Sequence, residues 1–329
     1  MERTSHARVL SGMRSTGNVH LGNYFGALQQ FLELQEKHQC FFFVADLHAL
    51  TEVQGPTETR RLSVEVVKTY LACGIDPARS TLYQQSDVPQ IAQLAILLGN
   101  TVGVGRLRSC TTYKDRIKNK GAEEGDVSLG LLAYPVLMAA DILAVRGSIV
   151  PVGKDQKQHI EMARDFAKGF NQRFQDDVFT IPDMNLLDPI RVPGIDGSNQ
   201  KMGKSLGNTI ALLDRPEQIQ KKVMKIPTQE RSGVSDISPG TDALFQLVNL
   251  CCSAEQKAAY AEDWKAGRMR FGEVKQRLAE ALIVLLTPIQ DRYDSLRDSD
   301  VRDVLSDGAK TARGIAQDVL EAASAAMGL

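Results

Sequence analysis

The sequence predicts an α/β protein: a Rossmann-like, doubly wound parallel sheet with an inserted connective segment, followed by an all-helical domain. Over the first two-thirds of the chain, short apolar runs alternate with longer runs of helical periodicity, as is typical of parallel α/β sheets. A segment at 99–127, rich in Gly, Arg and Lys, interrupts this alternation. Strand patterns end near Arg215, and only helical patterns follow.

Strands are predicted for four short apolar runs, at 8–11, 40–45, 81–84 and 148–152. The run at 40–45 (CFFFVA) is apolar throughout, as expected for a strand that is buried on both faces. Helical spacing with Pro at the start or Gly after the end predicts helices over 23–35, 56–73, 89–99 and 135–146. Pro135 stands where a first helical residue should, so we expect that helix to have about three turns.

The chain beyond these elements divides into a loop and a helical region. A further helix opens at Gly153, and the polar, Gly-rich segment 194–207 is predicted to be a mobile surface loop. The remaining helices are predicted over 215–225, 241–251, 254–266, 270–294 and 309–327. We therefore expect an α/β domain over 1–206, with its insertion at about 100–150, and a helical domain over 207–329 whose C-terminal helices pack back.

Composition excludes several classes of protein. The 329 residues are enough for about two domains, and 39 basic against 40 acidic residues give a net charge of −1, which excludes nucleic-acid binding by bulk positive charge. The five cysteines are odd in number and form no CxxC motif, which favours reduced thiols in a cytosol. The N-terminus has no secretory signal pattern, and the longest uncharged apolar stretch, 129–140, is too short for a membrane span.

The first predicted βα turn carries the polar motif TGNVHLGN at 16–23. In a doubly wound sheet this turn is where phosphates bind, against a helix N-terminus. Gly17 and Gly22 let the backbone approach a ligand, and a donor from His20 suits the charge that a phosphate gains in a transition state. The alternative is an ordinary βα loop in which Asn23 is the N-cap.

A second motif, KMGKS at 201–205, lies in the predicted loop. Lys201 and Lys204 can fold over an anion, although for two lysines alone a solvated basic loop is the simpler interpretation. Together, HxGN after the first strand and KMGKS before a helical domain resemble the two signatures of class I aminoacyl-tRNA synthetases. The resemblance implies that both motifs bind ATP and that the second closes on the phosphates.

A third feature is a single carboxylate in the apolar helical segment 133–143. Tyr134, Met138 and Asp141 fall on one helical face. An ionised Asp in apolar surroundings needs a donor or a positive partner. A salt bridge to an arginine such as Arg146 is one interpretation, and a hydrogen bond from the indole N–H of a bound tryptophan is the other.

The segments 46–51, 133–143 and 150–159 are similar to those of bacterial tryptophanyl-tRNA synthetases, and the resemblance runs over nearly the whole chain. It implies three catalytic residues: His20, Lys201 and Lys204. It implies that ATP is contacted by Arg14, Ser15, Thr16, Gly22, Asn23, Gly153, Lys154, Asp155, Val192, Lys201, Met202, Gly203, Lys204 and Ser205. It implies that tryptophan is contacted by Asp141, Met138, Gln156 and His48. For Gln156 and His48, plain hydrogen bonding in the core is the alternative.

Two positions depart from the pattern of that family. Arg14 stands where many relatives have Gln, which puts the detailed contacts to ATP in doubt. Gly203 replaces the usual Ser of the closing loop, which removes a hydroxyl donor and adds flexibility. Both lysines of the loop remain, so we expect activity to survive.

The implied activity is that of a tryptophan–tRNA ligase of the cytoplasm, with ATP, L-tryptophan and tRNA(Trp) as substrates and Mg²⁺ arriving with ATP rather than at a protein metal site. The resemblance also implies a homodimer built by the insertion, and anticodon binding by the helical domain at about 207–290. Candidate basic patches lie at 106–108, 114–120 and 221–222. The alternatives are a tyrosyl-tRNA synthetase, disfavoured by Met138, a small-molecule nucleotidyltransferase, disfavoured by the helical domain, and a non-charging paralogue with a regulatory or RNA-binding role.

Overall fold

The computed structural model of the chain describes residues 7–13, 19–51, 56–120, 127–153, 156–186, 190–198, 200–229, 233 and 236–329. At its centre lies a five-stranded sheet whose neighbouring strands all run parallel. The strands are β1 (Arg8–Met13), β2 (Gln39–Val44), β3 (Ser80–Gln84), β4 (Ile149–Val152) and β5 (Asp183–Leu186), and their order is β3-β2-β1-β4-β5. The predicted Rossmann-like sheet is therefore confirmed.

Strand β5 is not predicted by the sequence analysis. It pairs only with β4 at one edge of the sheet, and its four residues (DMNL) alternate polar and apolar side chains over too short a run to give a strand signal. The other four strands lie within two residues of their predicted bounds.

The sheet separates two apolar cores. Phe42 packs into one core with Leu28 and Val67, whereas Phe41 and Phe43 pack into the other. Successive side chains of a strand point to opposite faces, so both faces of β2 are buried. This burial explains the uninterrupted apolar run that predicts the strand.

Helices pack on both faces of the sheet, and the described residues beyond 215 are mainly helical. In the α/β part they are α1 (Leu21–Asn23), which continues through a π-helical turn (Tyr24–Leu28) into α2 (Gln29–Gln35), then α3 (Asp46–Ala49), α4 (Pro56–Ala72), α5 (Pro89–Gly99), α6 (Val104–Arg108), α7 (Thr111–Lys120), α8 (Leu129–Ala144) and α9 (Lys157–Phe174). Beyond residue 215 they are α10 (Pro216–Met224), α11 (Pro239–Cys251), α12 (Ala254–Lys265), α13 (Phe271–Ser295) and α14 (Asp298–Met327). None of the helices in the described ranges is long and apolar enough to span a membrane.

Helix α8 begins earlier than the sequence analysis predicts. Pro135 lies inside the helix rather than at its first position, because Ser128 caps the N-terminus by accepting a hydrogen bond from the backbone N–H of Leu131. A proline inside a helix removes one backbone hydrogen bond. Burial of the continuous apolar face from Pro135 to Ala144 offsets this loss.

Helix α14 is also longer than predicted, since it starts at Asp298 rather than at 309. Val301 and Leu305 continue its apolar face toward the N-terminus, and Gly308 lies inside the helix. At Gly308 the helix packs directly on strand β3, where an added Cβ would lie 1.8 Å from the backbone oxygen of Leu82. The glycine that weakens the helical pattern is therefore required by packing against the sheet.

Candidate active site

The residues around His20 lie at the start of α1. The ring Nδ1 of His20 accepts a hydrogen bond from the backbone N–H of Gly22 at 3.1 Å, and the backbone N–H of His20 donates to Asn23 Oδ1 at 3.1 Å. Because a backbone N–H can only donate, Nδ1 carries the lone pair and the ring proton of the neutral imidazole is on Nε2. His20 is thus prepared to donate from Nε2 to an anion.

Gly22 is required by the close approach of this ring. A Cβ at position 22 would lie 2.9 Å from two atoms of the His20 ring and 3.3 Å from the Cβ of Met202. Gly22 of the first motif therefore lies close to His20 of the same motif and to Met202 of the second motif. His20 is the N-cap residue of α1, and Asn23, which also belongs to the predicted site, completes the capping box.

Backbone hydrogen bonds join the first motif to the segment that follows the second motif, and a further one anchors the second motif itself. The N–H of Leu21 donates to Ile210 at 3.0 Å, the N–H of Leu212 donates to Val19 at 2.9 Å, and the N–H of Met202 donates to the carbonyl of Val192 at 3.0 Å. Met202 is buried. The loop is thus anchored at Met202, whereas Lys201, Lys204 and Ser205 are exposed. Its mobility stays a prediction.

The side chain of Asn208 is hydrogen-bonded to the backbone of the loop. Its side chain is 1% exposed, its Oδ1 accepts the backbone N–H of Gly203 at 2.8 Å, and its Nδ2 lies 3.5 Å from the carbonyl of Lys201. An added Cβ at Gly194 would lie 2.1 Å from the same Nδ2. Gly194 is therefore required by the position of Asn208.

Electrostatics at this site favour anions. Burial, and then the charge of nearby Lys204, lower the pKa of His20 from 6.5 to about 4. Burial also lowers the pKa of Lys204. At neutral pH the site therefore presents a neutral histidine donor beside a lysine ammonium, together with Lys201 and Ser205 on the exposed side of the loop.

The carboxylate of Asp141 is almost fully buried, with 1% of the residue exposed. Its Oδ2 lies 2.8 Å from His48 Nε2, and its Oδ1 accepts a hydrogen bond from Gln85 Nε2 at 2.7 Å. The alternative partner, Arg146, makes no ion pair with it among the described residues. Burial raises the pKa of Asp141, and the hydrogen bonds from His48 and Gln85 oppose this shift.

An aromatic side chain connects this carboxylate to Gln156. The ring of Tyr134 lies 4.5 Å from that of His48 and 5.5 Å from that of His159. His159 Nδ1 is in turn 3.0 Å from Gln156 Oε1. Asp141, His48 and Gln156, which are expected to bind tryptophan, are thus connected through Tyr134 and His159. Met138, also expected to bind tryptophan, lies on α8 and is partly buried against the hydrophobic core.

The chain can be compared with known proteins at this point. A family model described as tRNA synthetases class I (W and Y) matches residues 1–287. The chain belongs to this family of class I tRNA synthetases.

Among its relatives is the tryptophan–tRNA ligase of Rhodopirellula baltica, 42% identical over 325 residues, which are 98% of this chain and 99% of the relative. The tryptophan–tRNA ligase of Porphyromonas gingivalis is 40% identical over 313 residues, 93% of this chain and 94% of the relative. A crystal structure of Campylobacter jejuni tryptophanyl-tRNA synthetase, complexed with ADP and tryptophan, matches with a TM-score of 0.87 and 34% identity over 98% of this chain and 100% of that chain.

The remaining site residues of this class I tRNA synthetase divide into two groups. Gly153 accepts a backbone hydrogen bond from Gln156 at 3.0 Å, just before α9. The others lie outside the described residues: Arg14, Ser15, Thr16, Lys154 and Asp155. In the described part of the chain, no group of three or more His, Cys, Asp or Glu side chains could hold a metal ion.

The structure places four residues beside the predicted site to which the sequence analysis gives no role: Gln85, Tyr134, His159 and Asn208. Of these, Tyr134 is recognised there only as a member of the helical face that carries Asp141. Gln85 directly follows β3, and ligands of α/β proteins bind at the carboxyl ends of strands, so its position alone is a usable signal. Asn208 lies three residues after the KMGKS motif, yet no spacing rule assigns it to the loop backbone.

Proposed function

We propose that this chain is a tryptophan–tRNA ligase, which activates L-tryptophan with ATP and transfers it to the 3′ end of tRNA(Trp). The observation that carries the proposal is the buried Asp141 carboxylate, held by an imidazole and a carboxamide on the wall of an aromatic cluster. Such a carboxylate keeps capacity to accept one more hydrogen bond. An indole N–H is a donor that satisfies it.

Activation requires no covalent enzyme intermediate. A carboxylate oxygen of tryptophan forms a bond to the α-phosphorus of ATP while the bond from that phosphorus to the bridging oxygen breaks, and pyrophosphate takes that electron pair. His20 donates from Nε2 to phosphate oxygens, and Lys201 and Lys204 stabilise the charge that these oxygens gain. Magnesium enters as part of the Mg·ATP substrate, since Mg²⁺ is usually held through substrate phosphates.

Discrimination against other amino acids follows from Asp141. A site that hydrogen-bonds a substrate N–H rejects an analogue lacking it by a factor on the order of 10⁴. Phenylalanine, which has no ring donor, would leave the carboxylate one hydrogen bond short in a buried site.

Binding of tRNA and assembly are further parts of the proposal. The helical region from 207 to 290 binds the anticodon of the tRNA. The enzyme acts in the cytoplasm, where translation takes place. Arg106 pairs with Asp165, and Lys222 pairs with Asp214, so these basic side chains are partly neutralised within the chain. Within the insertion, the apolar side chains of Val104 on α6 and Leu129 on α8 are exposed, which supports a homodimer formed through this segment. Sedimentation of the purified protein tests it.

The decisive experiment is ATP–pyrophosphate exchange measured separately with each of the twenty amino acids. We expect exchange with tryptophan alone. Exchange with tyrosine alone would instead make the chain a tyrosyl enzyme of the same family. Exchange with no amino acid would point to a paralogue that does not charge tRNA.

A further inference from the structure

Gln85 contacts the carboxylate of the predicted amino-acid site, but its own side chain is fully buried. It follows the last residue of β3, in a short 3-10 turn (Gln85–Asp87), and is 0% exposed. A fully buried carboxamide must satisfy both its donor and its acceptor within the protein.

The carboxamide of Gln85 bridges two elements of the fold. Its Oε1 accepts the backbone N–H of Leu47 at 3.1 Å and lies 3.4 Å from the backbone N of His48, at the start of α3. Its Nε2 donates to Asp141 Oδ1 at 2.7 Å, on α8. The chemistry permits only this amide orientation, because backbone N–H groups donate and a carboxylate accepts.

The same small element, α3, also supplies the second partner of the carboxylate. His48 Nε2 contacts Asp141 Oδ2 at 2.8 Å. Gln85 therefore holds Asp141 directly and also holds the backbone that carries His48. Loss of this one carboxamide would loosen both hydrogen bonds of the buried acid.

The geometry leaves a defined acceptor for a ligand. A carboxylate has about four lone-pair sites, and the two hydrogen bonds occupy one site on each oxygen of Asp141. Nearby, the hydroxyl of Tyr83 is buried and has no hydrogen-bond partner among the described residues. Asp141 and Tyr83 therefore both keep hydrogen-bonding groups that are unused, close to the position where Gln85 holds the carboxylate.

We propose that Gln85 is a positioning residue for substrate specificity: it orients the Asp141 carboxylate so that a remaining lone pair faces the ring N–H of the amino-acid substrate. This inference rests on the proposed function, because it assumes that Asp141 reads an indole. Gln85 touches no substrate atom and acts through Asp141.

The test compares tryptophan with β-(3-benzothienyl)alanine, in which sulfur replaces the ring N–H. The measured quantity is the ratio of kcat/KM for the two amino acids in pyrophosphate exchange. By the argument used for phenylalanine, the wild-type ratio should be on the order of 10⁴. The hydrogen bond from Gln85 to the charged Asp141 is worth about 10- to 100-fold of this ratio. Gln85→Met keeps the size of the side chain and removes the donor, so we expect it to lose most of the ratio while the KM for ATP changes less than about twofold.

The neighbouring residue provides a matched control. Gln84 also donates a hydrogen bond to a carboxylate, that of Asp46 at 2.7 Å, but it does not contact Asp141. Gln84→Met therefore removes an equivalent hydrogen bond one residue away. We expect it to keep the wild-type ratio.

A second readout is the pH dependence of tryptophan binding. The hydrogen bond from Gln85 lowers the pKa of Asp141 against the effect of burial, so Gln85→Met should move the acid limit of binding to higher pH. Asp46 also faces Asp141 and raises its pKa, and His48 lowers it. Because Gln85→Met also loosens the hydrogen bond from His48, both losses move the acid limit in the same direction. Gln84→Met removes a hydrogen bond from Asp46 rather than from Asp141, so it should not move the acid limit to higher pH.

Gln85→Glu decides the matter if Gln85→Met does not fold. The Glu side chain can donate to Asp141 only when it is protonated, so the ratio should be retained at low pH and fall as pH rises. A wild-type ratio near one would refute the role of Asp141 and with it the proposed function. A large wild-type ratio that persists in Gln85→Met, or in Gln85→Glu at pH 8, would overturn only the role of Gln85.

Discussion

Replacement of Gly308 by alanine tests how α14 is attached to the sheet. Gly308 is buried inside α14, and an added Cβ would lie 1.8 Å from the backbone oxygen of Leu82 and 2.6 Å from its carbonyl carbon. Both contacts involve backbone rather than a flexible side chain, so the strand cannot yield locally. The helix must instead move away from β3.

The size of the effect follows from that distance. Carbon and oxygen atoms pack favourably at about 3.5 Å, so the helix must retreat by more than about 1 Å, and a gap of that size forfeits a quarter to a half of each contact energy. The contacts at risk are those of Leu305, Ala309 and Ala312. Overpacking of this kind typically costs about 1–3 kcal/mol.

Gly314 supplies the control, since it lies on the same helix, is exposed and would receive a Cβ with nothing within 4 Å. Gly→Ala stabilises a helix interior by about 1 kcal/mol, and this gain is common to both variants. In urea unfolding, Gly308→Ala should therefore be about 1–3 kcal/mol less stable than Gly314→Ala. Equal stability of the two variants would refute the direct packing of α14 on β3.

Three other substitutions probe the site. Asp141→Ala should remove the preference for tryptophan in pyrophosphate exchange. It should also lower the free energy of unfolding, because the buried donor of Gln85 and the partly buried donor of His48 then lack an acceptor, at up to about 1–3 kcal/mol each. A variant that still strongly prefers tryptophan contradicts the assigned role. Asn208→Ala removes the acceptor of the Gly203 backbone N–H, so the KM for ATP should rise about tenfold. Tryptophan binding, measured by calorimetry without ATP, should stay constant. An unchanged KM for ATP would show that the loop does not need this hydrogen bond. The depressed pKa of His20, about 4 against 6.5, means that only the unfolded chain binds its proton between these values, so stability should fall by about 2 kcal/mol from pH 7 to pH 5 in the wild type, and by that much less in His20→Gln. Urea unfolding at the two pH values measures it, and equal pH slopes would contradict the buried, neutral state of His20.

The sequence predicts those parts of the fold that follow from local periodicity. The apolar run at 40–45 marks β2 because burial on both faces excludes polar residues from it. Strand β5 is missed because an edge strand of four residues needs no such run. Pro135 and Gly308 mislead for a related reason: tertiary packing overrides the local preference of both residues, and no local pattern reports that packing.

The candidate site divides in the same way. His20 and the lysines of KMGKS are recognisable because their spacing within one segment is itself the signal. Gln85 and Asn208 act on partners that are distant in sequence or on backbone atoms, which leave no trace in residue type. A glutamine that holds a carboxylate in place differs from a surface glutamine only in the residues that the fold packs against it. The strand ends nevertheless restrict the search, because in a parallel sheet they converge at one edge, and Gln85 directly follows one of them. Polar residues directly after predicted buried strands are therefore the first positions to examine for support of a carboxylate such as Asp141.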